Sequence, residues 1–384
     1  MLKALFLVSF VLLVHTYIGY PLLMRLRARL AAKPLRAADW EPRVDVVVVA
    51  HNAAAPMHAK LANLLALDYP ADKLRIHAVS DGSEDATATV ALATGDARVI
   101  VHAFPQRRGK SACLGEVLSG LDSEIVVFTD VRQRIDAGAI RALLRPFADA
   151  TVGAVSGELM FEAAPGDVAA GVDLYWRYEK AIRRSEGESG SVVGVTGALW
   201  AARRTVLPAI PPGLILDDLW VPLEIARQGA RIVFAADALA WDRPSTDAAL
   251  EAQRKRRTLA GNFQLIAREP ALLLPWAHPL GWRLWGHKWL RLLAPWLLFA
   301  LFASNLAKAS TSPAWQLLAL AQCAFYLGAT VGLLVPAALR FRPVRIAATF
   351  VRMNAYAVLG LFDFLRGRAQ PMWAVTRHSD TMRP

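Results

Sequence analysis

The chain has 384 residues, 55% of them hydrophobic, a mean hydropathy of +0.32 and a net charge of +12. That is too apolar for an ordinary soluble enzyme and too polar for a protein made only of membrane spans, so a soluble part joined to a few spans is expected. The basic residues gather beside apolar segments and form no nucleic-acid motif, while Cys113 and Cys323 give neither a disulfide framework nor a metal-ligand spacing.

Residues 4–24 are almost uncharged and long enough to cross a bilayer. Arg25, Arg27, Arg29, Lys33 and Arg36 follow. Positive charge on that flank puts the next segment in the cytoplasm and argues against a cleaved signal peptide, whose positive flank precedes its apolar run. A membrane anchor over 1–26 is the expectation. The run VDVVVVAHN at 44–52 reads as a buried parallel strand with a polar carboxyl end. Residues 55–67 have helical spacing. Residues 74–91 read as strand, turn and helix, with Asp81, Gly82 and Ser83 at the turn. A short strand at 97–101, a turn and helix at 107–121 and the strand EIVVFTDVR at 124–132 follow, then a helix at 137–148 and a strand at 152–157. Helices are expected over 167–187, from Asp217 onward, and over 247–262.

This alternation predicts an α/β fold with a mainly parallel sheet over 40–265. In such sheets ligands bind outside the carboxyl ends of the strands, where Asn52, Asp81 and Asp130 stand. No G-x-G-x-x-G follows the first strand and no Walker A sequence is present, which disfavours a dinucleotide-dependent dehydrogenase and a P-loop ATPase.

The last part, 270–384, turns apolar again. Residues 271–284 read as an interfacial helix, and 289–306 and 314–337 as spans. Arg340, Arg342 and Arg345 mark a return to the cytoplasm. Residues 346–365 are apolar but interrupted by Arg352, Asn354 and Asp363, which fits either a fourth span or an amphipathic helix on the membrane face. Arg366, Arg368 and Arg377 favour the second reading.

The ordered segments VVVVAHN, VSDGS, RRGKSACL, FTD, VTGALWA, LDDLWVP and QRKRRTLAGN resemble the family 2 glycosyltransferases. Within that family they resemble the membrane-bound group of cellulose, hyaluronan and poly-N-acetylglucosamine synthases. The resemblance implies a Rossmann-like nucleotide-sugar domain of GT-A type between N-terminal and C-terminal transmembrane helices. It implies an inverting transfer from a UDP-sugar to a polysaccharide or lipid-borne acceptor. It also implies a multi-pass protein of a bacterial inner membrane with its catalytic domain in the cytoplasm, with room for a partner subunit.

Residue by residue, the resemblance puts Asp81 against the base or ribose and Asn52 in the nucleotide pocket. The acid usual after Asn52 is replaced by Ala53 and Ala54. Lys110, at a helix start, would face the diphosphate, where an ammonium and a helix N-terminus both favour anions. Asp130 matches the first acid of a D-x-D motif for Mg or Mn, but Arg132 stands at the second. One carboxylate can serve with water and phosphate ligands; Arg132 can itself supply positive charge, or point outward. Asp218 matches the general base, with Asp217 beside it as a substrate-binding residue. Gln253 and Arg256 match a Q-x-x-R-W signature in which Arg257 replaces the Trp, and these three would clamp the departing diphosphate. Trp200 or Trp220 is the candidate to replace the lost sugar platform. Simpler roles exist for the same residues: Asp81 as a turn-stabilising acid, the paired acids as helix-start residues, and QRKRR as a lipid-facing basic stretch. The alternative function is an inactive relative that serves a polysaccharide export system as a binding or assembly subunit.

Overall fold

The computed structural model describes residues 1–162, 168–243 and 248–369; Arg377 lies outside them. The α/β part contains β1 (Val44–Ala50), α2 (Ala54–Leu65), β2 (Leu74–Asp81), α3 (Thr87–Leu92), β3 (Val99–Phe104), α4 (Lys110–Ser119) and β4 (Ile125–Phe128). It continues through β5 (Arg134–Ile135), α5 (Ala139–Leu144), β6 (Val152–Phe161), α6 (Val168–Glu188), β7 (Trp200–Arg203), α7 (Asp217–Arg227), β8 (Arg231–Asp242) and α8 (Ala248–Arg268). Long apolar helices flank it: α1 (Leu2–Leu30) before, and α9 (Gly281–Thr311), α10 (Pro313–Leu334) and α11 (Arg342–Leu365) after. All four are long and apolar enough to cross a membrane.

The strands form one sheet in the order β3-β2-β1-β4-β7-β6-β8-β5. The β3-β2-β1-β4 half is parallel, β7 runs antiparallel between β4 and β6, and β8 pairs parallel with β6. β1 is buried along its whole length because helices cover both faces. Val44, Val46 and Val48 enter one core, Val47 and Val49 the other. The chain leaves β1 toward β2 on one side and later inserts β4 on the other. The gap between the carboxyl ends of β1 and β4 is therefore a topological switch point.

One expectation changes. Residues 271–284 do not form an interfacial helix: Pro270–Leu273 is a single 3-10 turn, a loop follows, and α9 begins at Gly281. Pro275 and Pro279 account for this, since each removes a backbone donor and restricts the residue before it. The next apolar helix therefore starts earlier than the expected residue 289. Residues 346–365 fall within α11, whose first half packs on α10, with Val344 and Ala348 against Gly332. Its last turns sit on α8, where Asp363 accepts both arms of Arg256, at 2.9 and 2.7 Å.

A buried polar cluster fastens the apolar helices to the α/β part. His287 of α9 lies between two carboxylates of α6, Nδ1 at 2.8 Å from Glu186 and Nε2 at 3.0 Å from Glu179. Tyr20 of α1 donates to Glu186, and Arg291 pairs with Glu179. Arg283 donates to the carbonyls of Glu186, Ser189 and Ser191 at 2.7–2.9 Å. Buried charges are tolerated when paired and hydrogen-bonded in this way, and breaking one pair is costly.

α1 and α9 approach each other where Gly286 meets the ring of Tyr20. An added Cβ at Gly286 would lie 2.0 Å from Tyr20 Cδ2, whereas one at Gly328 would meet nothing within 4 Å. Gly286→Ala is expected to lower the thermal unfolding midpoint in detergent by the equivalent of about 1–3 kcal/mol, the range for overpacking. Gly328→Ala should leave the midpoint unchanged.

Candidate active site

The site is assembled at the switch point by three loops. The first joins β1 to α2. Asn52 there adopts a left-handed φ of 48°, its amide donates to Ser83 Oγ at 3.1 Å, and its Oδ1 accepts from the Glu84 amide at 2.8 Å. Asn52 thus ties the β1 loop to the β2 loop. Where an acid is missing after Asn52, the Ala53 and Ala54 amides are satisfied by Thr87 Oγ1 at 2.8 Å and Asp85 Oδ2 at 3.1 Å.

The second loop follows β2. Asp81 is 2% exposed and accepts the Arg108 and Gly109 amides at 2.7 and 2.9 Å. Both oxygens therefore organise the turn into α4, the turn-stabilising role weighed above, with the donor contact left as an expectation. Gly82 has φ +59°, and a Cβ there would lie 2.2 Å from the Arg107 amide, so only glycine lets these backbones meet. The result aims the N-terminus of α4, with Lys110 as its first residue, at the switch point.

The third loop, residues 129–133, carries Asp130. Lys60 of α2, 2% exposed, reaches under it and donates to Thr129 Oγ1 at 2.7 Å and to the Gln133 carbonyl at 2.6 Å. Thr129 Oγ1 in turn donates to the Ala198 carbonyl at 2.7 Å. Burial pushes the Lys60 amine down to about 7, against the opposing charge of Asp130. Arg132 turns away from the gap and pairs with Asp242, which also accepts Gln133 Nε2 at 2.9 Å. Of the readings left open for Arg132, the structure therefore shows it engaged elsewhere, not supplying charge beside Asp130. Sequence reading missed Lys60. The signal was its position with Met57, Leu61 and Leu64 on the buried stripe of a helix.

Opposite these loops stands the start of α7. Gly197 separates its acids from Asp130: a Cβ there would lie 3.3 Å from Asp130 Oδ2 and 3.6 Å from Asp218 Oδ2. Lys110 Nζ bridges Asp130 at 3.0 Å and Asp217 at 3.3 Å. Burial alone would lower the Lys110 ammonium, but the charges of Asp130, Asp217 and Asp218 hold it well above the usual lysine value. Arg257 also feels these three carboxylates; burial pushes its guanidinium down from the usual value and the acids oppose this. Asp218 is pushed up to about 6 by burial first and then by the charge of Asp217, with Lys110 opposing and Asp130 adding.

The structure thus brings together Lys110, Asp130, Asp217, Asp218 and Arg257. It does not bring in Arg256, which lies on the neighbouring face of α8 and is taken by Asp363 of α11. Gln253 stands exposed one turn before Arg257. Trp200 is no sugar platform: it is fully buried and stacked on Phe128, with ring centroids 4.0 Å apart. Trp220 is pinned in the seam with the end of α8, donating to Glu269 at 2.6 Å.

Lys60→Met removes the donor to two buried acceptors, each costing about 1–3 kcal/mol when left unsatisfied. The variant is expected to lose stability of that order. Amide hydrogen exchange should rise across residues 129–133 while the strands β1 and β2 remain protected.

A family model described as glycosyltransferase like family 2 matches residues 42–261. An N-acetylglucosaminyltransferase of Rhizobium sp. (strain N33) is 23% identical over 226 residues, covering 55% of this chain and 50% of that protein. A beta-monoglucosyldiacylglycerol synthase of Synechocystis sp. is 29% identical over 132 residues, covering 32% of this chain and 28% of that protein. The chain therefore spans half or less of the length of these curated relatives. Among solved structures, a mannosyltransferase from Pyrobaculum calidifontis in complex with GDP-Man and Mn2+ is similar at a TM-score of 0.70 and 25% identity, covering 96% of this chain and 100% of that one. The α/β part accordingly has the GT-A type fold, and the apolar helices are included in the likeness.

Proposed function

This chain belongs to the family 2-like glycosyltransferases, and on that premise we propose that it is an inverting transferase with Asp218 as general base, acting at a membrane face. It takes a nucleotide-sugar donor. A UDP-sugar is the donor proposed from the sequence resemblance, and the GDP-Man held by the solved relative makes a GDP-sugar its competitor. On this reading residues 1–26 are the anchor, 40–265 the cytoplasmic transferase domain and 270–384 the second membrane-associated part. Because α9 leaves the transferase domain, α10 returns toward it and α11 ends on α8, we read α11 as lying along the membrane face.

One observation carries the proposal: Asp218 and Asp130 face each other across Gly197, with Lys110 bridging Asp130 and Asp217 and Arg257 within electrostatic reach of all three acids. The base must be a carboxylate near the acceptor hydroxyl. Asp218 accepts the proton as that oxygen bonds to the anomeric carbon and the bond to the diphosphate breaks on the opposite side. A single displacement inverts the centre. Lys110, at a helix N-terminus, and Arg257 stabilise the charge that gathers on the leaving diphosphate. Gln253 and Asp217 are kept as substrate-side residues, and Asn52 and Asp81 as the frame of the nucleotide pocket. Arg256 is proposed as a strut between α8 and α11 in place of its expected diphosphate contact.

The residues at Asp130 fit Mg2+ or Mn2+ with substrate help. Its side chain is 36% exposed against 7% for Asp217, so it is the open carboxylate of the pair bridged by Lys110. Among the described residues no three His, Cys, Asp or Glu side chains are grouped to hold a metal unaided. Such ions accept one or two carboxylates plus phosphate and water. When bound, the cation would neutralise charge on the donor diphosphate.

The deciding experiment measures nucleotide release from a panel of UDP- and GDP-sugars, with protein in nanodiscs and membrane lipid extract present. Asp218→Asn is expected to lower release about 10²–10⁴-fold, the range for a general base, while donor binding persists. With an Asp218 value of about 6, the base is protonated below that pH. Release should therefore fall as pH drops through about 6 and level off above it; a profile flat to pH 4.5 would remove Asp218 as the base. Product sizing separates a polymer from a single addition, and absence of release with every donor would return the binding or assembly role. Chelation by EDTA is expected to abolish release, and added Mn2+ or Mg2+ to restore it; release that ignores EDTA would leave Lys110 and Arg257 as the sole counter-charges.

A further inference from the structure

Most of the exposed large apolar side chains lie on the four apolar helices. Among the described residues from 31 to 270, only Leu92 and Ile100 are exposed in this way. The loop that joins α8 to α9 departs from that rule. Leu273 is 40% exposed, Leu274 44% and Trp276 80%. From Pro270 to Trp282 the sequence carries no Asp, Glu, Lys or Arg. A contiguous apolar surface of this kind marks an interaction site. Its backbone is fixed: the amides of Leu274, Ala277 and Gly281 donate to the carbonyls of Ala271, Leu274 and His278 at 2.9, 3.0 and 2.8 Å. Leu272 and Leu280 are buried in the core, which holds their neighbours outward.

The loop is fastened to the start of α9. Trp285 and Trp289, one turn apart, donate their indole N–H groups to the Leu273 and Leu272 carbonyls at 2.9 and 3.0 Å. A Cβ added at Gly281 would lie 2.4 Å from the Pro275 carbonyl oxygen, so loop and helix are in close contact. The loop therefore stands level with the first turns of α9. Those turns carry Arg283, Lys288 and Arg291, and the stretch from Leu292 to Ala307 that follows is uncharged. It is about 24 Å long at 1.5 Å per residue, against about 30 Å for a bilayer's hydrocarbon core. With α9 as a span, the hydrocarbon begins near Arg291. Side chains level with the turns before it meet the interfacial layer, where Trp is favoured.

On its other side the loop holds α7. His278 is 3% exposed, and its Nδ1 accepts the Leu280 amide at 3.0 Å. Nε2 therefore carries the proton and donates to the Leu223 carbonyl of α7 at 3.1 Å. Glu269, at the loop's entry, accepts Trp220 of α7 and pairs with Arg227. Leu223 lies about 7.5 Å along the helix from Asp218.

We propose that residues 271–279 are a rigid foot that stands in the interfacial layer of a lipid bilayer, with Leu273, Leu274 and Trp276 as its contacts, and that α7 rests on it. The partner is the boundary between headgroups and acyl chains, recognised by apolar side chains and an amphipathic indole. This rests on the reading of α9 as a span. A second protein would also cover an apolar surface, but α9 cannot enter a membrane without bringing this loop to its face. The foot gives α7, and with it Asp218, a fixed height above the lipid.

The test places the fluorophore NBD on single cysteines of the full chain, with exposed Cys323 changed to Ser and buried Cys113 left in place. The sites are Leu274→Cys and Trp276→Cys in the loop, Leu327→Cys on α10 and Leu92→Cys on the α/β part, all of them exposed. Phosphatidylcholine nanodiscs carry a nitroxide quencher either at the carbonyl end or at the methyl end of the acyl chain. Both loop sites are expected to lose most of their emission to the carbonyl-end quencher and less to the other. Leu327→Cys should be quenched and Leu92→Cys should not. Full emission at both loop sites, with Leu327→Cys quenched, overturns the foot and leaves the span reading standing. No quenching at Leu327→Cys overturns the span reading and the foot with it. Stronger quenching of the loop from the methyl end overturns the interfacial placement. Blue-shifted loop emission that ignores both quenchers overturns the bilayer as partner in favour of a protein or a second copy of this chain.

Discussion

Three carboxylates gathered in one cleft constrain everything around them. Unit charges about 4 Å apart interact by roughly 4 kcal/mol at the effective dielectric of a protein surface, and by more inside. Asp130, Asp217 and Asp218 can share the cleft because Lys110 bridges two of them and the charge of Arg257 acts on all three. The balance is incomplete, and that leaves Asp218 with a value near 6. A carboxylate so poised is a stronger base than an ordinary aspartate yet still ionised at neutral pH.

Holding that cluster open requires rigid loops, and each is fixed by a polar side chain that hydrogen-bonds across to a neighbouring segment. Asp81 fixes the entry to α4, Asn52 joins two strand ends, and Lys60 holds both ends of the Asp130 loop. Arg132 belongs to this scaffold: its pairing with Asp242 anchors the far side of the same loop. Position 132, where the resemblance led one to look for a second metal ligand, is a support of the loop instead. Within the cleft the counter-charge comes from Lys110 and Arg257.

The same economy operates between the transferase domain and the apolar helices. A single histidine, His287, is held by two glutamates of α6, and tyrosine and arginine side chains from α1 and α9 complete their hydrogen bonding. Tilting α9 would break several buried charge contacts together, so the α/β part has a fixed attitude toward α9. Asp363 on Arg256 provides a second tie, at the end of α11.

Much of this was legible from local pattern. Apolar runs ending in polar residues marked the strands, and the order of acids at their ends marked the switch point, because period and burial are properties of neighbours in sequence. The prolines at 275 and 279 also carried their message, against the helix expected there. What the sequence could not determine was which of two adjacent arginines enters the cleft. Arg256 and Arg257 differ by one position on α8, and their assignment depends on Asp363, 107 residues away in the chain. Arg132 is likewise decided by Asp242, 110 residues away, and Lys60 by a loop that only the folded sheet brings over α2. A charge finds its partner through packing of whole elements, so side-chain pairing is fixed by the tertiary structure even where every element was predictable.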